Sequence, residues 1–133
     1  MSFEFAVRVY WEDTDAGGIV FYANYLKFFE RACTEWLRSL GIWQQDLRER
    51  TGGIFIVSET SVRYHQPARL DDELLVTARI ETAGRASILL AQQALRARDR
   101  GLLAEGTIRI GWVDAATLRP ARIPANLLEA LEP

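Results

Sequence analysis

The residues best equipped for chemistry stand together near the N-terminus: Asp13-Thr14-Asp15, followed by Ala16-Gly17-Gly18. Two carboxylates at a strand end, next to glycines that permit tight backbone geometry, fit three uses. They can be turn formers that cap the strand and the start of a helix. They can supply a nucleophile and a magnesium ligand for phosphotransfer, but that chemistry needs a parallel sheet and usually a lysine to manage phosphate charge. The one lysine of this chain, Lys27, falls inside a helical stretch. In the third use, a carboxylate at the mouth of an apolar cleft attacks an activated acyl group or activates water, while a helix N-terminus polarises the carbonyl. Scarcity elsewhere narrows the alternatives. The single histidine, His65, cannot by itself build a multi-histidine metal site, and the single cysteine, Cys33, excludes an intramolecular disulfide. A Ser–His or Cys–His mechanism would depend on His65 alone or on a second subunit.

The elements that position these residues follow from hydrophobic periodicity. With 133 residues, 49% of them hydrophobic, the chain is long enough to bury a core without staples, and one domain spanning residues 1–133 is expected. A net charge of −2 with no stretch of five or six like charges argues against a nucleic-acid partner or an anionic membrane surface. There is no signal peptide and no run of about 18 apolar residues, so a cytoplasmic protein without a transmembrane segment is expected. Alternation from Phe3 to Trp11 predicts a strand with Phe5, Val7, Val9 and Trp11 on one face. Apolar residues at spacings of three and four predict a helix from Ala23 to Leu40, stopped by Gly41 with Ile42 folding back. Its dense aromatic residues suggest protein on both sides. A short helix over Gln44 to Arg50 precedes strands at Ile54 to Tyr64, Leu74 to Glu81, Ser87 to Arg98 and Leu102 to Asp114. The last two form a hairpin at Asp99-Arg100-Gly101, with the glycine available for a positive φ. Ala125 to Leu131 adds a final helical turn or two. Without βαβ alternation the sheet must be antiparallel, which predicts an α+β fold: five antiparallel strands wrapped around one long central helix.

The run from Glu12-Asp13-Thr14-Asp15-Ala16-Gly17-Gly18 through Ile19-Val20-Phe21-Tyr22-Ala23-Asn24-Tyr25, with Phe29-Glu30-Arg31-Ala32 after it, resembles the signature of the 4-hydroxybenzoyl-CoA thioesterase family of hotdog-fold enzymes. Within that family it is most similar to the YbgC-type acyl-CoA thioesterases associated with the Tol-Pal system. The run Tyr64-His65-Gln66-Pro67-Ala68-Arg69-Leu70-Asp71-Asp72 resembles theirs as well. The resemblance implies the same sheet-around-helix architecture and a thioesterase acting on short-chain acyl-CoA or aroyl-CoA, with 4-hydroxybenzoyl-CoA as one example. Asp15 matches the family's catalytic carboxylate, acting as a nucleophile through a mixed anhydride or as a general base. Tyr22 matches the residue whose backbone N–H receives the thioester oxygen, and one such donor can be worth roughly 3 to 4 kcal/mol in acyl transfer. Many YbgC-type members carry histidine where Tyr22 stands, whereas the 4-hydroxybenzoyl-CoA enzyme has tyrosine. The proposed role belongs to the backbone, so the difference bears on substrate preference.

The same resemblance implies substrate-binding roles for other residues. Phe21 would line the acyl pocket, with core packing as its other use, and Asn24 would contact substrate, cap the helix or support the loop. Arg85 and Ser87 lie in the segment that approaches the nucleotide in the family, and an exposed turn is the competing reading. Asp13 would orient the loop, and His65 would pack or sit at an interface. No metal and no cofactor is implied, CoA being part of the substrate, although an acyl carrier protein could replace it as partner. Hotdog subunits pair edge to edge, so a homodimer assembling to a homotetramer is expected. Two rivals stand beside this reading: a hotdog dehydratase, whose sites usually rely on a histidine that this motif lacks, and a non-catalytic acyl-thioester-binding or envelope-associated scaffold.

Overall fold

The computed structural model describes residues 3–131. Its sheet has the strands β1 (Phe3–Arg8), β2 (Gly53–Tyr64), β3 (Glu73–Ala83), β4 (Ser87–Arg96) and β5 (Leu102–Asp114). They lie in the order β1-β3-β4-β5-β2, and every neighbouring pair is antiparallel. Three helices accompany the sheet: α1 (Tyr25–Ser39), α2 (Gln44–Thr51) and α3 (Ala125–Leu131). The α+β architecture expected from the pattern is therefore present.

The longest helix is shorter than the periodicity predicts. α1 has 15 residues, about 22 Å at 1.5 Å per residue, and a separate 3-10 turn at Tyr22–Asn24 leads into it. Its end follows the sequence signals: Gly41 adopts φ +81°, and the Ile42 N–H donates to the Leu37 carbonyl at 2.9 Å. Tyr25, Phe28, Phe29, Ala32, Trp36 and Leu37 are buried on α1, which packs against β1, β3 and β4. The opposite side does not meet protein within one chain, since Leu26 is exposed.

Two other expectations are corrected. β1 stops at Arg8 rather than Trp11, and Trp11 is 82% exposed instead of sharing the inward face. The cause is local. The Asp13 carboxylate accepts the Tyr10 N–H at 2.8 Å and curls Trp11–Asp13 into a 3-10 turn. In the β4–β5 connection the positive φ belongs to Arg100 and not to Gly101. The Gly101 N–H donates to the Asp99 carboxylate at 2.9 Å and the Arg100 guanidinium is held by Glu4, so side-chain anchoring outweighs the cost of the left-handed residue.

The β3–β4 ladder contains a gap closed by side chains. Backbone pairing runs to Val76↔Ala94 and resumes in the same register at Arg79↔Ala91. Between them the Gln93 N–H donates to the Thr77 hydroxyl at 2.9 Å, and the Gln92 amide donates to the Thr77 carbonyl at 3.1 Å. The same amide donates to the Phe29 carbonyl of α1 at 2.9 Å, so Gln92, only 2% exposed, ties the sheet to the helix. Gln92→Leu keeps the volume but strands the Thr77 carbonyl, and we expect a loss of about 1–3 kcal/mol of stability, read from chemical denaturation.

Candidate active site

Asp13 and Asp15 divide the work of the loop after β1. Asp13 is 4% exposed and fully engaged. One carboxylate oxygen accepts the Tyr10 N–H and the other accepts the Asn24 side-chain amide at 2.8 Å, while its own carbonyl accepts the Phe21 N–H at 2.9 Å. It thus clamps both the entry of the loop and the turn that starts the helix. Asn24 is buried and spends its side chain on this clamp, making no side-chain cap on α1. Of the uses considered for Asn24, loop support is the one its contacts display.

Asp15 stands exposed at the tip of the same loop. The Asp15 N–H donates to the Ile19 carbonyl at 2.9 Å, and Thr14 bridges to Val20, so the segment doubles back on itself. Its Oδ1 accepts the Gly17 N–H at 2.8 Å, an Asx turn that fixes the carboxylate and leaves Oδ2 without a protein donor among the described residues. A Cβ at Gly17 would come 3.2 Å from that Oδ1, which is why a residue without a side chain suits the position. The 68–72 segment buttresses the loop from behind: the Val20 N–H donates to the Ala68 carbonyl at 2.9 Å and the Leu70 N–H to the Gly18 carbonyl at 3.1 Å.

Tyr22 begins the 3-10 turn beside this loop. As the first residue of the turn, its N–H has no intrahelical acceptor, and no backbone carbonyl among the described residues takes it. Its side chain is 65% exposed, with its ring 4.7 Å from that of Phe21, itself exposed. An apolar recess of about 310 Å³ opens here, lined among others by Ile19, Val20, Tyr25, Tyr64 and Pro67. A second apolar cleft, about 340 Å³, starts in the first turn of α1 at Leu26 and runs past Phe29 and Cys33 to Leu37, with Phe55 and Ile108 also in its lining. Burial pushes the Cys33 thiol up to about 12, so it stays protonated at neutral pH.

Arg85 and Ser87 are not brought to Asp15 within one chain. The aspartate loop adjoins the start of β3, where Arg8 pairs with Glu73, whereas Arg85 and Ser87 flank the turn at its far end, where Ala83 pairs with Ile88. The two groups therefore stand at opposite ends of β3, whose 11 residues have an extended length of roughly 35 Å at about 3.3 Å per residue. Arg85 is exposed, and the Ser87 hydroxyl accepts from Arg109 at 3.4 Å. His65 is paired with Glu105 at 2.7 Å, away from Asp15 in its bonding.

Tyr64 was given no role by its sequence position, yet its hydroxyl donates to the Tyr22 carbonyl at 2.8 Å. The sequence offers only a faint sign of this, a large aromatic residue at a strand end three positions before Pro67.

Comparison with known proteins decides the family. The Thioesterase-like superfamily matches residues 9–131. The chain belongs to this superfamily. It is 41% identical over 129 residues to the acyl-CoA thioesterase YbgC of Haemophilus influenzae, covering 97% of this chain and 93% of that one. It is 39% identical over 127 residues to the acyl-CoA thioester hydrolase YbgC of Escherichia coli O6:H1, covering 95% and 92%. Among solved structures, the 1,4-dihydroxy-2-naphthoyl-CoA thioesterase Slr0204 of Synechocystis superposes with a TM-score of 0.89 over 98% of this chain and 96% of that one, at 23% identity, which shows the shared hotdog fold. The protein is a thioester hydrolase whose motif segment leads through the Tyr22–Asn24 turn into α1. Among the described residues no helix of this thioesterase is long and apolar enough to cross a membrane.

Proposed function

We propose that the chain hydrolyses short-chain acyl-CoA or aroyl-CoA thioesters to the free acid and CoA, using Asp15 and the backbone N–H of Tyr22. The observation that supports this reading is that one short segment carries both groups: an exposed carboxylate with one oxygen held by Gly17 and no other protein donor among the described residues, and, tied to the same loop through the Phe21 N–H on the Asp13 carbonyl, a turn whose first N–H no backbone carbonyl among the described residues accepts. The names of the YbgC relatives support a CoA thioester as substrate. The thioester oxygen takes the Tyr22 N–H, where the helix-start dipole favours negative charge. Asp15 then adds to the carbonyl carbon, or draws a proton from a water that does. Collapse of the tetrahedral intermediate breaks the carbon–sulfur bond and releases the CoA thiolate, a good leaving group that needs no histidine to protonate it. In the first route water cleaves the mixed anhydride and restores Asp15; in both, one water is consumed. No metal or redox group takes part.

The recess that Tyr22 lines and the cleft that begins at Leu26 lie at the small end of ligand-site volumes, which suits a short chain or a single aromatic ring. The reading includes pairing of two chains. β2 is an edge strand of 12 residues with Ile56 and Val57 exposed, the kind of edge that adds a partner strand. Pairing offers a route by which Arg85 and Ser87 of one chain approach the CoA phosphates bound at the other chain's Asp15. A tetramer of such dimers, an acyl carrier protein as alternative thioester donor, a cytoplasmic setting and a Tol-Pal association belong to the same reading.

The test is free-thiol release from a panel of acyl- and aroyl-CoA thioesters. Turnover of short-chain or aromatic members is expected, and the protonated Cys33 adds no rapid background to a thiol reagent. No turnover across the panel would overturn the reading in favour of an acyl-thioester-binding scaffold.

A further inference from the structure

The turn that carries the Tyr22 N–H is only three residues long, Tyr22–Asn24, and little packing holds it, since Phe21 and Tyr22 both leave their rings exposed. Asp13 fixes its two ends, through the Phe21 N–H and the Asn24 amide. The peptide that carries the Tyr22 N–H is held through its Phe21 carbonyl by the Asn24 N–H at 2.8 Å, and none of these bonds holds the next peptide, between Tyr22 and Ala23. One side chain addresses that peptide. Tyr64, from the far end of β2 and 42 positions along the chain, donates its hydroxyl to the Tyr22 carbonyl at 2.8 Å.

We propose that Tyr64 is a positioning residue for thioester hydrolysis, its hydroxyl holding the Tyr22–Ala23 peptide and so steadying the turn that presents the Tyr22 N–H to the thioester oxygen; the proposal rests on the roles given above to Asp15 and Tyr22. The ring is braced for this task on two sides. It meets the Tyr22 ring edge-on at 6.4 Å and 88°, and the Tyr25 ring at 5.5 Å and 62°. Tyr25 is itself buried, and its hydroxyl accepts the Ala68 N–H at 3.1 Å, so the brace extends to the segment behind the aspartate loop. Burial and the neighbouring Tyr22 raise the Tyr64 hydroxyl above the ordinary tyrosine range, which keeps it a donor at neutral pH. A bond donated to the Tyr22 carbonyl also polarises the Tyr22–Ala23 peptide and strengthens the Ala23 N–H as a neighbouring donor. Because Tyr64 is 45% exposed, water can replace its hydroxyl at that carbonyl when it is removed. Removal therefore costs orientation far more than stability.

The experiment compares Tyr64→Phe with wild type in thiol release from two CoA thioesters of different acyl size, with thermal melting alongside. We expect kcat to fall about three- to tenfold, the loss of one hydrogen bond, with KM within about twofold. The factor is to be the same for both substrates, and the melting temperature to stay within about 2 °C. An unchanged kcat overturns the proposal, and so does a loss confined to KM, a loss that scales with acyl size as for a pocket wall, or a loss that accompanies a lowered melting temperature. Asp15→Asn run in parallel separates the two levels. An inactive Asp15→Asn beside a fully active Tyr64→Phe removes only the role of Tyr64, whereas an active Asp15→Asn removes the reading beneath it.

Discussion

Asp15→Asn loses at least about a hundredfold in kcat while melting with the wild type. The substitution is isosteric, and its amide oxygen can still accept the Gly17 N–H that holds Oδ1. Asp15 is exposed and makes no other side-chain bond among the described residues, so the fold has little to lose. The reaction loses the negative charge that both routes require, since an amide neither attacks a thioester carbon usefully nor removes a proton from water. Steady-state thiol release and a thermal melt measure the two halves of the expectation. Hydrolysis retained in the variant would sink the role given to Asp15.

Asp13→Ala is expected to do the reverse first: it destabilises the protein by about 2–4 kcal/mol, lowering the melting temperature by roughly 10 °C, and activity falls as a consequence. The carboxylate is buried and accepts two donors, the Tyr10 N–H and the Asn24 amide. Truncation strands both, each at the desolvation cost of an unpaired polar group. It also frees the turn that presents the Tyr22 N–H, so we expect kcat in the surviving folded fraction to drop at least about tenfold. Circular dichroism melts with activity normalised to folded protein would show it. Unaltered melting would contradict the clamp described for Asp13, two residues from a position where stability is expected to be indifferent.

The main elements were legible because their signals are local. Three-and-four spacing marked α1, Gly41 marked its stop, and the glycine between two alternating runs marked the β4–β5 hairpin. The misplaced details depend on side chains acting across the backbone. Trp11 keeps the alternation of β1, and only the Asp13 carboxylate, by taking the Tyr10 N–H, ends the strand before it. The helix starts late because residues 22–24 close as a tighter turn. At Arg100 a left-handed residue is held by Glu4, 96 positions away, which no window of sequence contains. At the candidate site, the Asp-x-Asp and the helix start could be read directly from the chain. That Asp13 and Asp15 have opposite environments, that Tyr64 reaches Tyr22, and that Arg85 lies at the far end of β3 are facts of three-dimensional placement.

The gap in the β3–β4 ladder bears on how the molecule assembles. Two strands that pair through backbone alone can close before anything docks on them. Here the Thr77 carbonyl waits for Gln92, and the same amide completes its bonding only on the Phe29 carbonyl of α1. Closing the middle of the sheet and seating the helix are consequently one cooperative event, and a half-formed sheet without its helix gains little persistence. The helix start that offers its N–H to substrate is thereby set in place by the same step that finishes the core.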